Sequence, residues 1–484
     1  MKNSLDFSQE EFKTLLNQSN ELILKHFEDV MNLKGYRYFE QTEVESWFKE
    51  SLPEDGMPVK ELLQMVEEKV LNTATGNLGP HMYAYVMAGG NQVGIVADQL
   101  AATINQNVAK WHLSPAITEI DKRVIQWAAE LIGFGSDIGG FIGSSGSSAN
   151  LDGLTVARNI YFEDAGVRAK GMFGMKPMVV YCSDETHNSV DKSIQLLGIG
   201  SNQLRCIPSN ADFTINIVAL QEQIRKDIKD DLKPFCVIGN AGTVNTGAID
   251  DLAAIASVAK EYNLWFHVDG AYGGLIASLD SKRHLYKGID LADSVALDFH
   301  KWLYQPFEVG CLLVKSWSHL KRSYFKEATY LDKSLEQGTG RLEFNEHHFL
   351  LSRSAKALKV WMSIKAFGMR RIKAMMQKDI DLTNYLNKQV RKSNNFELVA
   401  MSKLAISCFR YTGGLTNTEQ IIQLNKDLIP ALEKDGRVFI TGTKLKGEFV
   451  LRACLINHRK TEATTDYLLE VISEVGQSLI QTSS

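Results

Sequence analysis

Cysteine is sparse in this chain, and none of it is arranged for pairing. The six cysteines, at positions 182, 206, 236, 311, 408 and 454, are scattered over 484 residues, with no two at CxxC spacing. That excludes a zinc ribbon or a disulfide framework and predicts small buried hydrophobes in a reducing compartment, with no metal site. Long apolar runs are also missing: no stretch approaches the roughly 20 residues that span a bilayer. The N-terminus, "MKNSLDFSQEEF", has no apolar core of the secretory type. Charge of one sign is not in excess. The 53 Lys+Arg against 57 Asp+Glu leave a net −4, which gives no reason to expect nucleic acid or an anionic membrane as partner. Repeats and low-complexity tracts are absent. What remains is a cytoplasmic globular chain, 44% hydrophobic and 23% charged, long enough for two or three domains.

Three segments follow from the patterning. Residues 1–92 begin with an amphipathic helix. Ser8 and Glu11 fit a capping box, and Phe12, Leu15, Leu16 and Leu22–Leu24 recur at helical spacing. This arm needs a surface to pack on, either the body of the protein or a second subunit. It ends in "TATGNLGPHMYAYVMAGGNQ", which reads as a loop lining something, with exposed rings. Residues 93–365 alternate helical patterns with short apolar runs, "PMVVYCSD", "PFCVIGNAGT", "LWFHVDGAYGG", "DSVALDFHK" and "VGCLLVK". Such alternation predicts an α/β domain on a mostly parallel sheet, with ligands beyond the carboxyl ends of its strands. Residues 366–484 read as a smaller α+β domain.

Four of those runs end in residues capable of chemistry: Ser183–Asp184, Asn240–Thr243, Asp269 and His300–Lys301. Taken singly, each has an ordinary explanation. "GGFIGSSGSSANL" is either a flexible turn or, running into a helix, an anion site of backbone N–H groups around Ser145, Gly146 and Ser147. Asp269 alone is a cap or an ion pair, His187 a structural histidine, and Lys301 a solvated charge. Lys301 fits its surroundings worst, because burying an ammonium costs several kcal/mol unless something compensates. Together they ask for one ligand with a phosphate, a basic ring nitrogen for Asp269, a flat face for His187 and a carbonyl for Lys301. Pyridoxal 5′-phosphate has all four, and a lysine held as a Schiff base carries no free ammonium.

The ordered motifs "GPHMYAYV", "LSPAITEIDKRVIQWAAELIGF", "GSSGSSANLDGLTVAR", "SDETHNSVDKS", "NAGTVNTGAIDD", "HVDGAYGG", "DFHKWL", "TYLDKS" and "LRACLINHR" resemble those of the group II pyridoxal-phosphate-dependent amino acid decarboxylases. The resemblance implies a fold type I, aminotransferase-like architecture and a homodimer with the active site at the subunit interface. It implies that Lys301 holds the cofactor, His300 lies near the phosphate, Asp269 pairs with the pyridine nitrogen and His187 stacks on the ring. Ser145, Gly146 and Ser147 match the phosphate loop. Thr243 falls in "GTVN" where the family has a "GTT"-like stretch, and Asp298 stands where many members have asparagine. Tyr330 matches the loop tyrosine that protonates the product from the neighbouring subunit.

The implied reaction is decarboxylation of an L-amino acid to its amine. Tyr85 is in place for an aromatic substrate, but Val86 and Ala109 stand where aromatic decarboxylases typically carry phenylalanine. His81 and His112 are nearby polar candidates with an equally ordinary structural reading. No arginine is obviously placed for a side-chain carboxylate, which favours an aromatic amino acid over glutamate, cysteine sulfinate, diaminobutyrate or histidine. A transaminase or aldehyde synthase on the same fold is the rival. Its mark in the family is phenylalanine at the loop tyrosine, and here that residue is Tyr330.

Overall fold

A computed structural model of the chain describes residues 5–326 and 340–483. They form two compact units: one from the segment up to Gly89 with Asn384–Val399 and the chain from Ser407 onward, the other from Gly90–Thr383 with Ala400–Ile406. The N-terminal segment therefore clusters with the C-terminal part of the chain.

The larger unit is built on seven strands: β1 (Gly139–Gly143), β2 (Met178–Ser183), β3 (Leu204–Ile207), β4 (Lys233–Asn240), β5 (Trp265–Asp269), β6 (Ser294–Asp298) and β7 (Gly310–Val314). Their order across the sheet is β1-β7-β6-β5-β4-β2-β3. Pairing is parallel from β3 through β6, and β7 runs antiparallel to both neighbours. The apolar runs make these strands because the central ones are buried on both faces, so their sequences are continuously apolar instead of alternating. Every residue of β2, β5, β6 and β7 is buried. Each Val, Ile, Leu or Phe so buried contributes roughly 1.5–3 kcal/mol of transfer free energy.

The register brings the strand ends together. Asn240 at the end of β4 pairs with Asp269 at the end of β5, and Asp269 pairs with Ala296 of β6. Asp298 closes β6 two residues further on. The chemically capable residues thus share one edge of the sheet, the carboxyl ends of its parallel strands.

In the other unit, β8 (Phe396–Met401), β9 (Ile406–Tyr411), β10 (Thr441–Leu445) and β11 (Glu448–Cys454) form a sheet in the order β10-β11-β9-β8. The helix Gln9–Glu28 carries the predicted Ser8–Glu11 capping box, with Phe12, Leu16 and Leu24 exposed along it. The segment preceding Gly89 is less open than its composition predicts. Tyr83 is fully buried, its hydroxyl donating to Thr464 O at 2.7 Å, while Tyr85 is exposed. No helix among the described residues is long and apolar enough to cross a membrane.

Candidate active site

At the end of β6 the chain turns into a single helical turn, Phe299–Trp302, on which Lys301 sits. The buried Trp302 packs beside Tyr272 and anchors that turn. Lys301 is mostly buried, and its Nζ lies 3.2 Å from Asp298 Oδ2. His300 Nε2 approaches the same oxygen at 3.4 Å, while its Nδ1 meets the Val309 backbone. Burial holds His300 below the usual histidine range, partly opposed by Asp298. The buried lysine is therefore compensated: Asp298 supplies the counter-charge at i−3. Asp298 also lies against Gly146, at the N-terminus of the helix Gly146–Tyr161, where the helix dipole favours an anion.

Lys301 and Asp298 face a cavity whose other walls include Gly146, Ser147, His187, Thr243 and Asp269. Asp269 accepts from Ala271 N at 3.1 Å through Oδ1 and from Asn150 Nδ2 at 2.9 Å through Oδ2. His187 is lowered by burial, so its ring is neutral near pH 7. Its Nδ1 accepts from Ser189 N at 3.2 Å and meets Ser189 Oγ at 2.8 Å. That bonding places the ring proton on Nε2.

Ser145 caps the helix Gly146–Tyr161, its hydroxyl accepting from Ser148 N at 3.4 Å, and the cavity wall begins at Gly146. Thr243 lines the cavity with its hydroxyl already engaged by Thr246 Oγ1 and Ala248 N, at 3.1 Å each. Among the described residues no group of three or more His, Cys, Asp or Glu side chains is arranged to hold a metal ion.

Pyridoxal 5′-phosphate fits this donor set. A Cβ on Gly146 would lie 2.5 Å from Ala271 Cβ and 2.9 Å from Asp298 Oδ2, so the helix N-terminus approaches the cavity as bare backbone. Asp298 Oδ1 is buried without a hydrogen-bond partner among the described residues. An amine, a carboxylate, a neutral imidazole and backbone N–H groups surround one space.

Not every candidate is gathered there. Ala109 is buried in the same unit, its carbonyl accepting from Asn345 N at 2.9 Å, and is not part of the cavity wall. His81, Tyr85 and Val86 belong to the other unit. There His81 packs edge-on against Tyr467, and Tyr85 takes a left-handed backbone with φ 55°. His112 is exposed. Tyr330 lies outside the described residues. Asn240, one of the strand-end residues, lines the cavity as well, and Asn150, Ser189 and Tyr272 line it without having been singled out in the sequence. Asn150 was discoverable, since it stands one helical turn beyond Gly146 on the same face.

The chain belongs to the pyridoxal-dependent decarboxylase family: the model of its conserved domain matches residues 42–412. It is 34% identical over 98% of its length to an aromatic-L-amino-acid decarboxylase of Bacillus atrophaeus, covering 97% of that protein. Its fold superposes on the crystal structure of Rhodiola rosea 4-hydroxyphenylacetaldehyde synthase with a TM-score of 0.88 at 26% identity, covering 98% of this chain and 99% of that one. It also superposes on Oryza sativa TDC with PLP and tryptamine, with a TM-score of 0.92 at 24% identity over 99% of this chain and 100% of that one. The architecture is that of fold type I, the cofactor is pyridoxal 5′-phosphate and the enzyme is a carboxy-lyase acting on an amino acid.

Proposed function

We propose that the enzyme decarboxylates an aromatic L-amino acid to the corresponding amine and CO2, as a cytoplasmic homodimer whose subunits share the active site. One observation carries the substrate class. Among the described residues the cavity is lined by a single lysine and no arginine, so within it no second cation is offered to a substrate carboxylate or sulfinate. The Bacillus atrophaeus relative is named for aromatic L-amino acids and supports the same reading.

When bound, pyridoxal 5′-phosphate supplies a carbonyl for the substrate amine and a conjugated ring that takes up the electron pair left as CO2 departs. Lys301 is the residue that attaches it. Asp269 holds positive charge at its ring nitrogen, kept in place by Ala271 N and Asn150. His187 offers a neutral flat face. Gly146 and Ser147 offer N–H donors to the phosphate, with Ser145, Thr243 and His300 behind them. Tyr330 delivers the proton to the product Cα. Tyr85, with His81, Val86 and Ala109, is assigned to the substrate side chain. The exposed apolar residues of the helix Gln9–Glu28 are assigned to the partner subunit.

A screen of the holoenzyme against the common amino acids for amine and CO2 tests the proposal, with turnover of aromatic substrates expected. Preference for glutamate or cysteine sulfinate would overturn the substrate class, and aldehyde with oxygen uptake would replace decarboxylation by aldehyde formation. Borohydride reduction and peptide mapping should place the pyridoxyl label on Lys301. Sedimentation should return a dimer, and deletion of residues 1–30 should weaken it or its cofactor retention.

A further inference from the structure

Two thiols stand opposite each other on the side of the sheet remote from Lys301 in strand order. Strands β2 and β3 run parallel, and their register sets Cys182 directly against Cys206. Neighbouring strands lie about 4.8 Å apart, inside the roughly 4.4–6.8 Å Cα separation that a disulfide requires. Paired residues also project from the same face of a sheet. Both cysteines are free.

The two differ in access. Cys182 is buried, whereas Cys206 is on the edge strand and is the one exposed cysteine of the six. It borders an open groove with Arg205, Gln223 and Lys226. Their proximity acts oppositely on the partners. It lowers the Cys206 thiol to about 7 and, together with burial, raises that of Cys182. The exposed sulfur is therefore the more readily deprotonated of the two, and the thiolate is the nucleophilic form.

We propose that Cys182 and Cys206 are a site of reversible two-electron oxidation by peroxide, closing a disulfide between β2 and β3. The Cys206 thiolate attacks one oxygen of hydrogen peroxide. An S–O bond forms, the O–O bond breaks, and the departing hydroxide takes up a proton, leaving Cys206 as a sulfenic acid. The Cys182 sulfur then attacks the Cys206 sulfur. The S–S bond forms, the S–O bond breaks, and the thiol proton leaves with the hydroxide as water. Two thiols are oxidised, and one peroxide is reduced to water.

The site has a route to the cavity. Cys182 precedes Ser183, whose hydroxyl accepts from Glu185 N at 3.1 Å and whose carbonyl accepts from Thr186 N at 3.0 Å. That turn presents His187. A disulfide pins β2 to β3 immediately upstream of it.

The test treats reduced holoenzyme near neutral pH with graded hydrogen peroxide, then blocks remaining thiols and maps peptides without reduction. The expected product is a peptide pair linking Cys182 to Cys206, lighter by two hydrogens and restored by dithiothreitol. Cys206→Ser should abolish it. Cys182→Ser should strand Cys206 as a sulfenic acid that dimedone captures. Before oxidation, Cys206 should alkylate at least about tenfold faster than any other cysteine, as an exposed thiolate does. The proposal is overturned if wild-type Cys206 runs on to sulfinic acid with no cross-link, or stays reduced while another cysteine is oxidised. Cys206 is exposed, so its serine variant keeps the test decisive even if Cys182→Ser fails to fold.

Discussion

Asn150 ties Asp269 to His267: its Nδ2 donates to Asp269 Oδ2 at 2.9 Å, and its Oδ1 accepts from His267 Nε2 at 3.0 Å. The chain of bonds continues inward. His267 Nδ1 meets Ser294 Oγ at 2.8 Å, and that oxygen accepts from Trp265 Nε1 at 2.9 Å. With the amide oxygen fixed as acceptor, every donor in the series has one direction. The carboxylate assigned to the cofactor ring is thus aimed by side chains from one helix and two strands. Asn150→Ala removes the link and leaves His267 Nε2 and Asp269 Oδ2 each one partner short. A buried polar group so stranded costs about 1–3 kcal/mol. Cofactor affinity should fall about 10- to 100-fold, read from visible absorbance during dialysis. A purely structural role for Asn150 would lower the melting temperature and leave the affinity of the folded fraction unchanged.

Gly146→Ala is a steric test of the phosphate loop. The backbone there does not require glycine, since Gly146 is absent from the positive-φ positions. The constraint is space: the new methyl would meet Ala271 Cβ at 2.5 Å and Asp298 Oδ2 at 2.9 Å. The helix N-terminus must shift by several tenths of an ångström, which moves the N–H groups of Gly146 and Ser147. Cofactor binding should weaken at least about tenfold, one 1.4 kcal/mol step, with overpacking costing typically 1–3 kcal/mol of stability. Titration of the apo variant with pyridoxal 5′-phosphate checks it, and parental affinity would dissociate Gly146 from the phosphate.

Much of this site was legible because central parallel strands announce themselves. β2, β4, β5 and β6 each coincide with an apolar run whose closing residues fall at the carboxyl edge of the parallel strands, while the run of β7, antiparallel, ends at the opposite edge. β1 was hidden inside a glycine-rich stretch that reads as a loop. Its glycines serve close packing instead, since a Cβ on Gly140 would lie 2.5 Å from Leu312 O and one on Gly139 2.8 Å from Trp317 N. β3 is only four residues at the sheet edge, too short for periodicity to register. The association of the N-terminal segment with the C-terminal unit rests on backbone bonds such as Tyr83 N to Phe439 O at 2.7 Å and Gly35 N to Arg437 O at 3.2 Å. No local pattern encodes such pairings. The spacing from Gly146 places Asn150 on the right face of its helix, but the partners of its amide, Asp269 and His267, are set only once β5 lies beside that helix.

His267 predicts a pH dependence of stability. It is fully buried, which pushes it down from 6.5 to about 4, with Asp269 pulling weakly the other way. The folded state therefore keeps the ring neutral over a range where the unfolded chain protonates it. Stability is fully present above about pH 6.5 and is lost as pH falls towards 4, because the unfolded state then binds the extra proton. The whole effect is on the order of 3 kcal/mol at about 1.4 kcal/mol per pH unit. Urea midpoints between these limits should fall more steeply for the wild type than for His267→Gln, which keeps a donor but cannot titrate. Parallel slopes would show that other groups carry the acid sensitivity.

Tyr330 and His187 are the two donors proposed for the proton at the product Cα, and one substitution separates them. Tyr330 stands in a stretch, "KEATYLDKSLEQGTGRLEF", dense in polar residues and glycine between two apolar segments. Tyr330→Phe keeps the ring and removes only the acid. A positioned general acid contributes typically 10²–10⁴-fold, so amine formation should fall at least about 100-fold while oxygen uptake and aldehyde rise. His187 is the alternative for a geometric reason. Its Nδ1 is occupied by Ser189 N and Oγ, which leaves the proton on Nε2 in the neutral ring. If Tyr330→Phe makes amine at the parental rate with no aldehyde, the phenol is not the donor. His187→Gln should then lose amine formation while keeping CO2 release.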